Sequence, residues 1–179
     1  MKHPNAFKTI AACARPCLAG ALLLAASLPA LAHVTLEYQV ANAGSYYKGT
    51  FKVGHGCGSS PVKQIVVTIP AGVQGAKPMP KPGWRIAIEK AGDKVTRITW
   101  TASTPEDKLS SEHYDEFVVV ARTPAEPGPV YWPVVQVCDE GRGSWVEVPA
   151  PGQKFSDLKA PAARLEVLPA AGTAHQHKH

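Results

Sequence analysis

The sequence predicts an all-β chain, an antiparallel β-sandwich of about seven to nine strands. Three observations carry that expectation. Short alternating or β-branched runs recur along the 179 residues, the pattern of strands with one buried face. The 17 prolines and 15 glycines fall between these runs, where proline punctuates strands and would break helices. No heptad and no helical face stands out, so few or no helices are expected.

The elements follow in order. Residues 34–40 alternate loosely. Tyr46–Val53 reads Tyr-Tyr-Lys-Gly-Thr-Phe-Lys-Val, and Tyr47, Thr50 and Val53 do not share one face, which leaves its register open. Residues 64–69 form a buried type of strand stopped by Pro70. Residues 84–89 and 94–101 pair across Ala91-Gly92-Asp93. Residues 117–121, Phe-Val-Val-Val-Ala, are a second buried run. Residues 130–138 and 144–148 flank Glu140-Gly141-Arg142-Gly143, a hairpin signal. Residues 165–168 supply a closing strand. Residues 78–83, Pro-Met-Pro-Lys-Pro-Gly, read as a rigid extended connector close to polyproline II.

The ends differ from this body. Residues 1–16 carry Lys2, Lys8 and Arg15 and no acid. A short apolar stretch follows at 17–26, and Ala30-Leu31-Ala32 gives the small-x-small pattern of a cleavage site. Residues 1–32 are therefore expected to be a cleaved signal peptide, and the mature protein periplasmic. The stretch is too short and interrupted to suit a membrane span, although an uncleaved anchor is the competing reading. Residues 33–168 amount to one domain. Residues 169–179 read as a flexible tail in which His175, His177 and His179 alternate and can catch Cu²⁺ or Ni²⁺ loosely.

Charge excludes one class of partner. Three of the 19 Lys and Arg residues precede residue 33 and none of the 14 Asp and Glu do, so the net charge beyond it falls from +5 to +2. The basic residues are also scattered singly, which gives no argument for nucleic acid. Cys13 and Cys17 leave with the signal, and Cys57 and Cys138 then read as one disulfide. A thiolate copper pair is the competing reading.

Four constellations bear on chemistry. Cleavage after Ala32 would put an α-amine and an imidazole on one residue, His33, and that nitrogen pair favours Cu(II) among first-row divalent ions. Gly54-His55-Gly56-Cys57-Gly58 holds a histidine two residues from the bridge, as a ligand or as a turn residue. Residues 110–117 flank His113 with carboxylates but show no nucleophile or pocket, so a strand-entry segment suffices. Trp145, with Glu147, follows the Gly-rich hairpin. A tryptophan there can shield a metal or lie over it, or be plain core. Trp84, Trp100 and Trp132 read as core. No HExxH, nucleophile elbow with triad partners, phosphate loop or CxxC is present. Met79 is the one methionine past the initiator, which argues against a Met-rich Cu(I) carrier.

Ala32-His33-Val34-Thr35-Leu36, Ala43-Gly44-Ser45-Tyr46-Tyr47-Lys48, Val53-Gly54-His55-Gly56-Cys57, residues 77–84, His113-Tyr114-Asp115-Glu116-Phe117 and Val135-Gln136-Val137-Cys138 together resemble the YcnI-like family of bacterial copper-associated domains. The resemblance implies a sandwich of the fibronectin/immunoglobulin kind. It also implies Cu(II) held at the processed N-terminus by one histidine through amine and imidazole, a mono-histidine brace that falls on His33. Bacillus-type members add a carboxylate, a nearby Trp and a C-terminal membrane helix. Here Tyr46-Tyr47-Lys48 stands at their aromatic-acid pair, His55 is expected in place of the carboxylate, and Trp145 stands in for the Trp.

The expectation is a periplasmic Cu(II)-binding protein of copper trafficking or resistance, not an enzyme. It would exchange copper with another periplasmic copper chaperone or a membrane copper protein. The alternative is a copper-dependent oxidase or polysaccharide monooxygenase-like enzyme using His33 and His55, against which stand the small size and the lack of an aromatic platform. CopC-like carriers pair the terminal His with an Asp-x-His or His-x-His that is absent outside the tail. A metal-free adhesion sandwich is the remaining reading.

Overall fold

The computed structural model describes residues 33–171. The expected signal at 1–32 and the tail histidines His175, His177 and His179 lie outside the described residues. The strands are β1 (Thr35–Leu36), β2 (Val40–Asn42), β3 (Tyr46–Val53), β4 (Val62–Thr68), β5 (Gln74–Pro78), β6 (Trp84–Ala91), β7 (Lys94–Ala102), β8 (Asp115–Arg122), β9 (Gly128–Trp132), β10 (Val134–Cys138), β11 (Arg142–Trp145) and β12 (Ala163–Leu168). Two single-turn 3-10 helices, Pro105–Asp107 and Phe155–Asp157, are the helical segments among the described residues. None is long and apolar enough to cross a membrane.

The strands form a four-stranded sheet in the order β1-β3-β8-β5, a five-stranded sheet in the order β11-β10-β4-β7-β6, and a three-stranded sheet in the order β2-β12-β9. Every pairing is antiparallel except β2 with β12. The period-2 alternation of side chains builds the core. In β3, Tyr47, Gly49, Phe51 and Val53 alternate inward, which settles the register the sequence left open, while Thr50 is buried from the other face. Beside them in the same sheet lie Phe117, Val119 and Ala121 of β8, and Ile65 and Val67 of β4 with Leu165 and Val167 of β12 join the same core. Phe117 meets Trp84 and Trp100 edge-on at centroid distances of 5.0 and 5.6 Å. Phe51 meets Trp132 the same way at 5.7 Å. Each such pair adds about 0.5–1.5 kcal/mol beyond its buried area.

Several boundaries differ from the sequence reading. The run 34–40 is two strands in different sheets, β1 on β3 and β2 on β12, a change of partner that alternation alone does not encode. The run 130–138 is cut at Pro133, which has no N–H for a ladder. Its carbonyl accepts the Thr68 N–H at 2.9 Å, so β9 joins the small sheet and β10 the large one. Pro78 of the supposed connector ends β5, a strand of weak formers that β8 recruits. The hairpin is tighter than expected, with Gly141 at φ +82°, and β11 ends at Trp145. Two split runs and β5 raise the nine runs read from the sequence to twelve strands.

Candidate metal centre

His33 begins the described chain, two residues before β1. The β1–β3 register sets Thr35 opposite Lys52 and Leu36 opposite Phe51, and Val34 and Val53, just beyond it, are both buried. His33 itself is exposed. Its Nε2 lies 3.3 Å from the Lys159 carbonyl oxygen. A carbonyl only accepts, so the Nε2–H donates and Nδ1 is left as the basic ring nitrogen.

Lys159 is itself held. Glu147 Oε2 accepts the backbone N–H of Lys159 at 2.8 Å and of Ala160 at 2.9 Å. The N–H groups of Val146 and Glu147 both reach the Ala160 carbonyl at 3.0 Å, and Ala162 N–H reaches the Glu147 carbonyl at 2.9 Å. The chain therefore leaves β11, makes the excursion 148–158, and is pinned shut where it returns beside His33. Phe155, Leu158, Ala163 and Arg164 join His33 and Leu36 around a groove of about 410 Å³. Phe155 is stacked on Tyr131 at 6.1 Å, with the Arg164 guanidinium 5.9 Å from its ring centroid.

The loop after β3 is fixed by different contacts. Cys57 and Cys138 form the disulfide read from the sequence, with Cα atoms 6.0 Å apart. A Cβ on Gly56 would sit 2.1 Å from the Ser60 carbonyl oxygen, so only glycine fits this turn. His55 is half-buried. Its carbonyl accepts from buried Gln136 Nε2 at 2.7 Å, and its Nδ1 contacts the Gly56 carbonyl. Trp145 is buried and its ring lies across Gly143, where a Cβ would come within 2.5 Å. His55 thus follows the end of β3 that pairs with the start of β1, while Trp145 packs in the core behind Gly143.

Among the described residues no group of three or more His, Cys, Asp or Glu side chains is placed to hold a metal ion. A metal at His33 would draw on the imidazole and, once the chain starts there, the α-amine, a nitrogen pair whose chemistry suits copper. Two of the carboxylates flanking His113 are engaged elsewhere. Asp115 pairs with Lys81 at 2.6 Å, and Glu116 accepts the Tyr114 hydroxyl at 2.6 Å. That hydrogen bond, above all, pushes the Tyr114 phenol up to about 12. Burial raises the Tyr47 phenol further. The Lys159 carbonyl and the wall of the groove went unseen in the sequence, because a backbone acceptor carries no residue signature. Glu147 was visible there only as a neighbour of Trp145.

The family described as "Domain of unknown function (DUF1775)" matches residues 33–167. The copper-binding protein CutI of Bacillus subtilis (strain 168) is 29% identical over 134 residues, covering 75% of this chain and 64% of CutI. The match thus spans just under two thirds of that relative. A solved protein of Nocardia farcinica with an immunoglobulin-like fold superposes with a TM-score of 0.65 at 25% identity, over 78% of this chain and 99% of that one. The expected all-β, immunoglobulin-like sandwich is the fold observed.

Proposed function

We propose a function from one premise: this chain belongs to the DUF1775 family, the YcnI-like family its motifs resemble. It is a periplasmic Cu(II)-binding protein of copper trafficking or resistance. Its metal is held by the α-amine and Nδ1 of His33 once residues 1–32 are removed. CutI, a copper-binding relative, supports copper as the cargo. The observation that carries the site is the Lys159 carbonyl on His33 Nε2. Metal-bound imidazoles almost always donate their other ring N–H to a carbonyl, carboxylate or water, which fixes tautomer and orientation. That bond leaves Nδ1, the ring nitrogen nearer the backbone along the covalent chain, to close a chelate ring with the amine. Exposure of His33 suits exchange with another periplasmic copper chaperone or a membrane copper protein.

The test is a Cu(II) titration of protein that starts at His33 and ends at residue 171. Native protein is expected to bind one equivalent tightly. His33→Ala and a version with one residue added before His33 should both lose it, since the latter moves the amine away. Equal binding by all three would overturn the reading. A second reading, a polysaccharide monooxygenase-like enzyme using His33 and His55, draws on the pairing of β1 with β3, since His33 lies two residues before the one and His55 two residues after the other. It requires oxidised products from a glycan supplied with reductant and oxygen, and their absence leaves the carrier.

A further inference from the structure

We infer that Glu147 is a positioning residue for the His33 site, acting through one peptide plane. The role presupposes the copper reading above and extends it to a residue outside the ligand set. The Lys159 C=O and the Ala160 N–H belong to the same planar trans amide, and in such a unit the two groups point in opposite directions. Glu147 Oε2 takes that N–H at 2.9 Å and His33 Nε2 meets that C=O at 3.3 Å. The carboxylate and the imidazole therefore grip opposite edges of one amide.

Two consequences follow for the ring. The amide cannot swivel without breaking a charge-assisted bond, so the acceptor that orients His33 is fixed. The carboxylate also polarises the amide, which makes its carbonyl a better acceptor for the imidazole N–H. The arrangement is a carboxylate–histidine pair with a peptide group inserted. The same Oε2 takes the Lys159 N–H at 2.8 Å, so both ends of residue 159 are restrained. Exposure of Glu147 means that its replacement opens no hole in the core.

Three variants separate reach from charge. Glu147→Ala removes the acceptor. Glu147→Asp keeps the charge but falls a methylene short. Glu147→Gln keeps an oxygen at the same reach without the charge. Cu(II) affinity by chelator competition, the Cu(II) electron paramagnetic resonance spectrum and the unfolding midpoint are measured for each, in protein starting at His33. Outer-shell partners of this kind are typically worth about 10–100-fold in metal affinity. Glu147→Ala and Glu147→Asp are expected to weaken Cu(II) by about tenfold with an altered spectrum, and Glu147→Gln by about threefold or less. A lowered midpoint with native affinity and spectrum in Glu147→Ala would overturn the role, leaving a loop clasp only. Native behaviour of Glu147→Asp beside a full loss in Glu147→Gln would overturn it too, in favour of charge acting through space. If Glu147→Ala does not fold, the Asp and Gln variants decide. His33→Ala runs alongside: if it binds copper like the native protein the copper reading itself fails, whereas its loss with unaffected Glu147 variants sinks only the positioning role.

Discussion

Removing the Cys57–Cys138 bridge tests how the sandwich is held together. The two cysteines are 81 residues apart, so the bridge shortens the unfolded chain over more than half of the folded domain. The chain-entropy relation gives about 4.5 kcal/mol at 25 °C for a loop of that length. At roughly 2.1 cal/mol/K of unfolding entropy per residue, the 139 described residues unfold with about 0.3 kcal/mol/K, so the midpoint should fall by about 15 °C. The variant to use is Cys57→Ala with Cys138→Ala. Cys138 is buried, and a serine there would risk stranding a hydroxyl. Thermal unfolding of the native protein with and without a phosphine reductant gives the entropic part free of any cavity. A midpoint drop under about 4 °C, near 1 kcal/mol, would refute the reasoning, because the bridge would then not be restraining the unfolded chain. The double variant, while folded, should bind Cu(II) with nearly native affinity, since the acceptor on His33 comes from Lys159 and not from the Cys57 loop.

Other consequences are simpler to read. Gly143→Ala places a Cβ about 2.5 Å from the Trp145 ring, so the indole must move. A loss of about 1–3 kcal/mol in denaturant unfolding and a shifted tryptophan emission are expected, and an unchanged emission would contradict the packing. Glu116→Gln should bring the Tyr114 phenol down from about 12 toward its ordinary 10, read from phenolate absorbance with Tyr114→Phe as the blank. The folded phenol is raised, so its contribution to stability is complete below pH 10 and is lost as pH climbs from 10 through 12. Ending the chain at residue 171 should lower the total Cu(II) bound, while one His33-dependent equivalent persists in the titration. Loss of that equivalent would tie the site to the tail.

What the sequence made legible was side-chain alternation, and what it hid was partner choice. The inward set of β4 and β8 follows from Ile65, Val67, Phe117 and Val119 at period 2. The two cysteines told of their bridge because no others stood beyond residue 32. Nothing in Val34 to Val40 says that the chain changes sheets after Leu36, because both halves alternate and only the neighbours differ. β5 was invisible for the opposite reason. Gln74-Gly75-Ala76-Lys77-Pro78 has almost no intrinsic strand preference and is a strand because β8 offers it an edge. The metal centre divides the same way. His33 stands out by its place after a small-x-small motif, whereas the Lys159 carbonyl, 126 positions away, is a backbone atom that any residue type would supply.

For a carrier of the proposed kind, placing the ligand just ahead of an anchored strand has an energetic logic. Val34 and Leu36 on either side of the entry to β1 are 2% and 1% exposed, and burying each contributes about 1.5–3 kcal/mol. Pulling β1 away from β3 would forfeit both, together with the Glu37 N–H bond to the Thr50 carbonyl at 2.9 Å. His33, one residue outside that anchor, gives up a single long hydrogen bond to Lys159, a net cost of about 1 kcal/mol. The amine and imidazole can thus swing clear several kcal/mol more cheaply than the strand behind them can open. Metal transfer to a partner would then proceed by local fraying of one residue with the sandwich intact. Hydrogen exchange of the Thr35 and Leu36 amides should accordingly be insensitive to copper loading, and strong protection of those amides on metal binding would mean that the whole strand, not the residue ahead of it, is what moves.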